Sequence, residues 1–597
     1  MEEEFGLTAF VGADRKQTIE CVLKRLYSDF IVQEIDADMK VAALPSFDQQ
    51  DTATISNLVS TRKNIDQSIT RPSSVTETFV SECDNVFNRV ANQANLPTSD
   101  LDKAARTAVH VFVRERYADE LESETGKDGA IEAKRRKPGK RKRWGRDMPP
   151  HTHFTMAKEN KETSYAIGVI AKMSGCNPSL FKTCGLKDRR AVTAQRVSAY
   201  QVDMDKLLLL NTRLRDLVLY DFSYEKQAVK TGSHWGNRFS IVLRDIALDV
   251  EPILQSRLEE WAEKGFVNYY GTQRFGSCDT RTADIGRLIL QREWRKSVMG
   301  ILGGAARNGH DTVQRAVEEY CRTEDAGAAL KLLQGGPAYA SIEGQLLRTL
   351  SRGKTWQDAV IQLPVNIRSL YVHAYQSLLW NVTASKRLTS FSTKVIEGDL
   401  NGEGERMDEK QRESSTPFDV ALPLPSSACE GKEGWVFDEY KVLLDKDGLT
   451  WDSFRTLERH FSLGDSSKLT MRPLLGRPVN VEWKFVRCTA KDEQLQDSLK
   501  AKAAVSLEEA EKRTEGDRAL WMRFDLNGGV YATVALREIT ACDMGKRYQK
   551  QLNCGADDEN TGETGEEENN GEGREDEENA VKGGEEDEPS VKVPRIE

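Results

Sequence analysis

The densest concentration of chemistry-bearing side chains lies in residues 181–200, FKTCGLKDRRAVTAQRVSAY. Gly185 permits a tight turn, Lys187 and Asp188 follow it, and Arg189 and Arg190 add positive charge before a strand-like stretch. Cations beside a carboxylate favour its charged form, which can serve as nucleophile or base, and the same cations can steer a phosphate backbone. On composition alone, a solvated charged turn between two elements is the simpler account. A second segment, NYYGTQRFG (268–276), carries Asn268, Tyr269, Tyr270, Gln273, Arg274 and Phe275 around two glycines. Aromatic rings beside amide and guanidinium donors can stack a base and bond its edge, or can fill a buried turn. A third, KRLYSDFIVQEID (24–36), reads as a core strand through Phe30, Val32 and Ile35, with Lys24 and Phe30 able to line a cleft.

Other chemistries find less support. Gly353-Lys354-Thr355 resembles the end of a nucleotide-phosphate loop, but Arg348 stands where that motif requires glycine. His151 and His153 lack further ligands at a useful spacing, so no metal is expected. The ten cysteines are dispersed without a CxxC pair, which fits reduced intracellular thiols. No apolar run approaches the ~18 residues of a membrane span, and no signal-peptide pattern opens the chain, so a soluble, non-secreted protein is expected.

The elements that would position these residues are mixed. Residues 367–382 place Ile367, Leu370, Tyr371, Ala374, Tyr375 and Leu378 at helical spacing, which predicts an amphipathic helix. Within 97–123, Ser99 is a candidate cap for a helix whose apolar face runs through Ala105, Ala108, Val109, Phe112 and Val113. FSIVLRDI (239–246) and VYATVALREI (530–539) read as strands. Without a βαβα rhythm or a repeat, the fold class is α+β.

A length of 597 residues implies two or more domains. The formal charge is −10, from 95 acidic and 85 basic residues, which at face value argues against a polyanion partner. Its distribution reverses that inference. Asp557–Glu597 holds 17 acidic and 4 basic residues, leaving residues 1–556 at +3. Residues 134–146, KRRKPGKRKRWGR, carry nine basic side chains in thirteen positions. Residues 401–417, with Met407 as their main apolar side chain, are expected to form a flexible loop, and 551–597 a disordered acidic tail.

In order along the chain, these segments resemble the signature blocks of the TruD family of pseudouridine synthases, in its longer eukaryotic branch. Lys24, Asp29, Phe30, Val32 and Glu34 resemble K-x-x-x-x-D-F-x-V-x-E, and FKTCGLKDRRAVTAQ resembles G-x-K-D-R-R-A-x-T-x-Q. HWGNRFSIVLR (234–244), NYYGTQRFG, YVHAYQSLLWN (371–381), RPLL (472–475) and YATVALRE (531–538) resemble later blocks, so the likeness spans most of residues 10–545.

The resemblance implies an isomerase that converts uridine in RNA to pseudouridine without metal, nucleotide or redox cofactor. It maps the catalytic aspartate onto Asp188, attacking either the sugar or the pyrimidine ring of a flipped-out uridine. Lys24, Phe30, Lys187, Asn268 and Tyr270 would bind the substrate, with Asn268 orienting Asp188 or the uridine. At Tyr270 the family usually has phenylalanine, so this chain adds a hydroxyl that could assist removal of the C5 proton. Arg189, Gln273, Arg274 and Arg537 would stabilise loops or touch phosphates. Cys184 reads as a size-tolerated substitution rather than a nucleophile.

The implied architecture is a catalytic domain with a mixed, largely antiparallel sheet, interrupted by an α/β insertion domain, with RNA in the cleft between them. Its parts are a first catalytic part (1–290), the insertion (291–500) and a catalytic return (501–550). Within the first part, about 37–150 would be a eukaryotic-type elaboration containing the basic run. The expected partner is tRNA, with small nuclear or messenger RNA as further substrates. A monomer without membrane association is expected, nuclear and in part cytoplasmic, the basic run serving import or RNA contact. The competing readings are an inactive RNA-binding or folding protein on the same scaffold, and a nucleobase glycosylase.

Overall fold

The computed structural model describes residues 2–13, 15–45, 65–117, 120–126, 129–135, 144, 148–276, 281–308, 311–464, 467–499 and 504–553. Its centre is a nine-stranded sheet in the order 479–488, 517–527, 236–244, 30–35, 192–200, 151–159 and 217–225. The short strands 22–23 and 181–183 pair with 236–244 and 192–200. Only the 30–35/192–200 pair is parallel, so the sheet is mixed and mostly antiparallel.

Period-two alternation decides which core each side chain enters. Along Gly236–Arg244, Phe239, Ile241 and Leu243 enter the main core, whereas Val242 enters a smaller one with Val486, Cys488 and Trp521. Across the ladder Phe239 stacks on Phe524 at 5.6 Å, and Trp261 meets Phe524 edge-on at 5.1 Å. Gly236 cannot be larger, since a Cβ there would lie 2.0 Å from the Leu526 carbonyl oxygen.

The buried ion pair Arg244–Asp29 ties the strand-leading turn to this sheet, with Nη2–Oδ1 at 2.6 Å and Nε–Oδ2 at 2.9 Å. Asp29 also accepts from the Leu26 N–H at 2.8 Å, so this motif residue is architectural. Removing one partner of a buried pair strands the other charge. Arg244→Met is therefore expected to lower stability by about 3–5 kcal/mol. Urea unfolding would show it as a lower midpoint, and an unchanged midpoint would contradict it.

Between Thr282 and Pro473 the chain is mainly helical, with a two-stranded ladder of Ala421–Pro423 and Met471–Pro473. The insertion expected to be α/β is thus dominated by helices, and the chain rejoins the large sheet at Val479–Cys488, ahead of the expected residue 501. Its axis is the helix Val365–Phe391, longer than the predicted 367–382 and buried on most sides. Helix Thr282–Leu290 crosses it so closely that a Cβ on Gly286 would lie 2.0 Å from the Tyr371 carbonyl.

Several expectations need correction. Residues 530–539, read as a strand from their β-branched and aromatic content, form the helix Ala532–Thr540, along which Ala532, Ala535, Leu536 and Ile539 recur at helical spacing. The helix in 97–123 runs Lys103–Arg116 and is capped by Asp102, not Ser99. With helix Glu77–Phe87 it covers a separate sheet of 93–96, 131–135 and 121–125, giving the 37–150 region a core of its own. Residues 401–417 are folded rather than a flexible loop. Met407 is buried, and the Asp408–Gln411 capping box starts the helix Glu409–Ser414. Gly353-Lys354-Thr355 precedes a helix that Thr355 and Asp358 cap reciprocally. The basic run beyond Arg135, apart from Trp144, and the tail after Asn553 lie outside the described residues.

Candidate active site

The Asp188 turn is held by its backbone. Gln195 Nε2 donates to the Gly185 carbonyl at 2.9 Å, and the Lys187 N–H donates to Thr163 Oγ1 at 3.1 Å. Thr163 Oγ1 in turn donates to Gln195 Oε1 at 3.1 Å. The fully buried Lys158 ammonium donates to the Asp188 carbonyl at 2.9 Å and the Lys187 carbonyl at 3.4 Å. The carboxylate itself is about one-third exposed, and its Oδ2 accepts from Lys24 Nζ at 2.9 Å.

Lys24 reaches it from a backbone at φ +60°, a conformation that costs a lysine energy and is fixed from outside. Arg190 supplies the fixing, donating to the Lys24 carbonyl at 2.9 Å and the Arg25 carbonyl at 3.2 Å. The Lys24 ammonium sits 3.8 Å from the centre of the Phe30 ring, whose own burial makes it the floor beneath that cation. Arg189 is exposed beside the turn.

Lys187 points elsewhere. Its ammonium is buried 2.9 Å from Glu34 Oε2 and 2.7 Å from Asn237 Oδ1. The expected substrate contact is replaced by a pin joining the Asp188 turn to strands 30–35 and 236–244, so that one residue from each of three signature blocks meets at a single ion pair and hydrogen bond. Cys184 is also buried, against Ser233 Oγ at 3.4 Å, and burial pushes its thiol pKa up, away from a nucleophilic thiolate.

The second segment is organised by Arg472. Its Nε donates to the Asn268 carbonyl and its Nη2 to Asn268 Oδ1, both at 2.8 Å, while Nη1 reaches the Gly529 carbonyl at 3.1 Å. The guanidinium lies 4.1 Å from the Tyr270 ring centre, and Trp380 and Tyr531 meet that ring edge-on at 5.8 and 6.4 Å. Asn268 thus spends its side chain on Arg472 and the Pro473 carbonyl rather than on Asp188. Asn381, from the long helix, exchanges hydrogen bonds with the Tyr270 N–H at 2.9 Å and carbonyl at 3.1 Å. Burial pushes the Tyr270 phenol pKa up, partly opposed by Arg472.

Gln273 is exposed, and Arg274 is half-buried, its Nε without a hydrogen-bond partner. Arg537 is a clamp on the N-terminal segment. It pairs with Glu2 at 2.5 Å and donates to the Leu7 and Ala9 carbonyls at 2.7 and 3.1 Å. The same segment stacks Phe5 on Phe275 at 4.7 Å, bracing the block that carries Tyr270.

The structure therefore brings Lys24, Phe30 and Asp188 together directly. A Cβ built on Gly185 or on Gly528 would lie 3.8 or 3.6 Å from the His234 ring, so the Asp188 turn and the 528–531 turn flank the same imidazole, and Arg472 links the latter turn to Tyr270. Lys158, Thr163, Arg472, Asn381 and Tyr531 were not singled out from sequence. Asn381, Arg472 and Tyr531 lie in recognised blocks, but the backbone carbonyls that give Arg472 and Lys158 their purpose have no sequence signal.

A family model described as tRNA pseudouridine synthase D (TruD) matches residues 130–539. A Caenorhabditis elegans relative is 40% identical over 576 residues, covering 94% of this chain and 96% of its own length. The human pseudouridylate synthase 7 homolog is 31% identical, covering 92% of this chain and 83% of its own. The Schizosaccharomyces pombe multisubstrate pseudouridine synthase 7 is 28% identical, with 92% of each covered. A Methanosarcina mazei chain designated TruD shares the fold, with TM-score 0.53 and 17% identity over 91% of this chain and 98% of that one. The mixed, mostly antiparallel sheet with a helical insertion is thus the fold of an RNA-modifying isomerase. The chain belongs to the TruD family of pseudouridine synthases.

Proposed function

We propose that this pseudouridine synthase acts on tRNA, and on small nuclear or messenger RNA as further substrates, with Asp188 as its nucleophile. The observation that carries the assignment is a carboxylate one-third exposed on a turn whose backbone is pinned at four points, paired with the Lys24 ammonium. In the reaction the N1–C1′ bond of uridine breaks, the uracil turns, C5 joins C1′ and the C5 proton leaves. Asp188 would hold either C1′ or the ring covalently while the base turns. The description of the matching family model names tRNA, and the fission-yeast relative's name supports a wider range. The chain would work as a monomer in the nucleus and in part in the cytoplasm, the basic run serving import.

RNA labelled with tritium at uridine C5 tests the assignment. Tritium release from a tRNA pool is expected; none from any cellular RNA pool would favour the inactive scaffold, and free uracil would mark a glycosylase.

Tyr270 would stack on the flipped base. Since its phenol stays protonated at neutral pH, it is a poor base for the C5 proton. Tyr270→Phe is therefore expected to keep turnover within about threefold, whereas Tyr270→Leu loses roughly tenfold or more in kcat/KM. A large loss in the phenylalanine variant would give the hydroxyl a chemical role.

A further inference from the structure

We propose that Lys158 is a positioning residue of the reaction, its buried ammonium drawing the carbonyls of the Asp188 turn inward so that the carboxylate faces outward toward substrate. This inference rests on the reading of Asp188 as the nucleophile. An ammonium has three N–H donors, and here they meet three backbone carbonyls, of Lys161 at 2.7 Å, Asp188 at 2.9 Å and Lys187 at 3.4 Å. Among the described residues no carboxylate is a direct partner, so the charge serves the turn rather than an ion pair. Strand 151–159 carries Lys158 between Thr193 and Leu217, which bear no charge. The charged groups facing it are Asp188, Glu162 and Lys187.

Burial lowers the Lys158 pKa from 10.5 to about 8, with Asp188 and Glu162 opposing that fall and Lys187 adding to it. The neutral amine has only two N–H groups and a lone pair, so deprotonation turns one of the three carbonyl contacts repulsive. The turn then loosens at alkaline pH and Asp188 loses its aim. Stability moves the other way. Between about 8 and 10.5 the unfolded chain binds more protons at this residue than the folded one, so its contribution to stability rises with pH. A rate that falls where this stability term rises separates positioning from mere folding.

The test is single-turnover tritium release from tRNA across the alkaline range, with urea unfolding at each pH, for the wild type, Lys158→Arg and Lys158→Met. In the wild type an alkaline limb with midpoint about 8 is expected. Arginine keeps its charge and should restore much of the rate while moving the limb upward by about one pH unit or more. Methionine should lose roughly tenfold or more in kcat with RNA binding nearly unchanged. A wild-type limb absent, or unmoved in Lys158→Arg as ring deprotonation of uracil would leave it, overturns the inference even if Lys158→Met fails to fold. Asp188→Asn distinguishes the underlying reading: if that variant keeps turnover, the nucleophile assignment fails, whatever Lys158 does.

Discussion

Asp188→Asn is expected to lower turnover by at least ~10³-fold while RNA affinity stays within about threefold. The side-chain amide is nearly isosteric with the carboxylate, so the turn held by Lys158, Thr163 and Gln195 stays in place. What disappears is the anionic oxygen that must form a covalent bond. The Lys24 ammonium loses its partner at 2.9 Å but keeps the Phe30 ring beneath it at 3.8 Å, which limits the structural cost. Tritium release under single-turnover conditions, beside a filter-binding titration, separates the two quantities. Turnover within tenfold of wild type would remove Asp188 from the chemistry.

Arg472→Met should cost both stability and rate. The guanidinium satisfies the carbonyls of Asn268 and Gly529 and the Asn268 side chain, and it covers the Tyr270 ring. Methionine fills part of the volume but leaves these acceptors without a donor, an expected loss of about 2–4 kcal/mol. With Tyr270 no longer fixed against the 528–531 turn, kcat/KM should fall roughly 10²-fold. The thermal midpoint and the rate should fall together, and a variant with wild-type values for both would show the cluster to be dispensable. Lysine should rescue poorly, because one ammonium cannot match the forked geometry that reaches Asn268 and Gly529 at once.

Much of this was legible in the sequence where a motif residue is chemically committed. Lys24, Phe30 and Asp188 lie together, as the resemblance of their blocks implies, whereas by residue type alone Asp188 reads equally as part of a solvated charged turn. Lys187 and Asn268 were assigned to substrate and face the protein. Their types fit either role, and only the positions of Glu34, Asn237 and Arg472 decide between them. The large sheet was foreseeable from strands such as 192–200 and 239–246, whereas helix 532–540 was not, since its β-branched and aromatic residues outweighed the helical spacing of Ala532, Ala535, Leu536 and Ile539. In helix 365–391 the stripe misled in detail. Leu370 is exposed, while Gln376, Asn381 and Ser385 are buried because each bonds to backbone elsewhere.

The N-terminal segment has a consequence for synthesis. Its residues 2–13 are fastened by Arg537 and Glu538, and the Ile19 N–H donates to the Thr540 carbonyl at 2.7 Å. Strand 236–244, in the middle of the chain, pairs with both 30–35 and 517–527. Residues 2–13 therefore wait for residues 537–540, some 530 positions later, before they find their partners. Such long-range closure is slow and leaves sheet edges open meanwhile. A chain stopped before about residue 517 would expose one edge of strand 236–244 and leave the N-terminal segment undocked. Premature termination should thus yield an aggregation-prone product rather than a shorter enzyme.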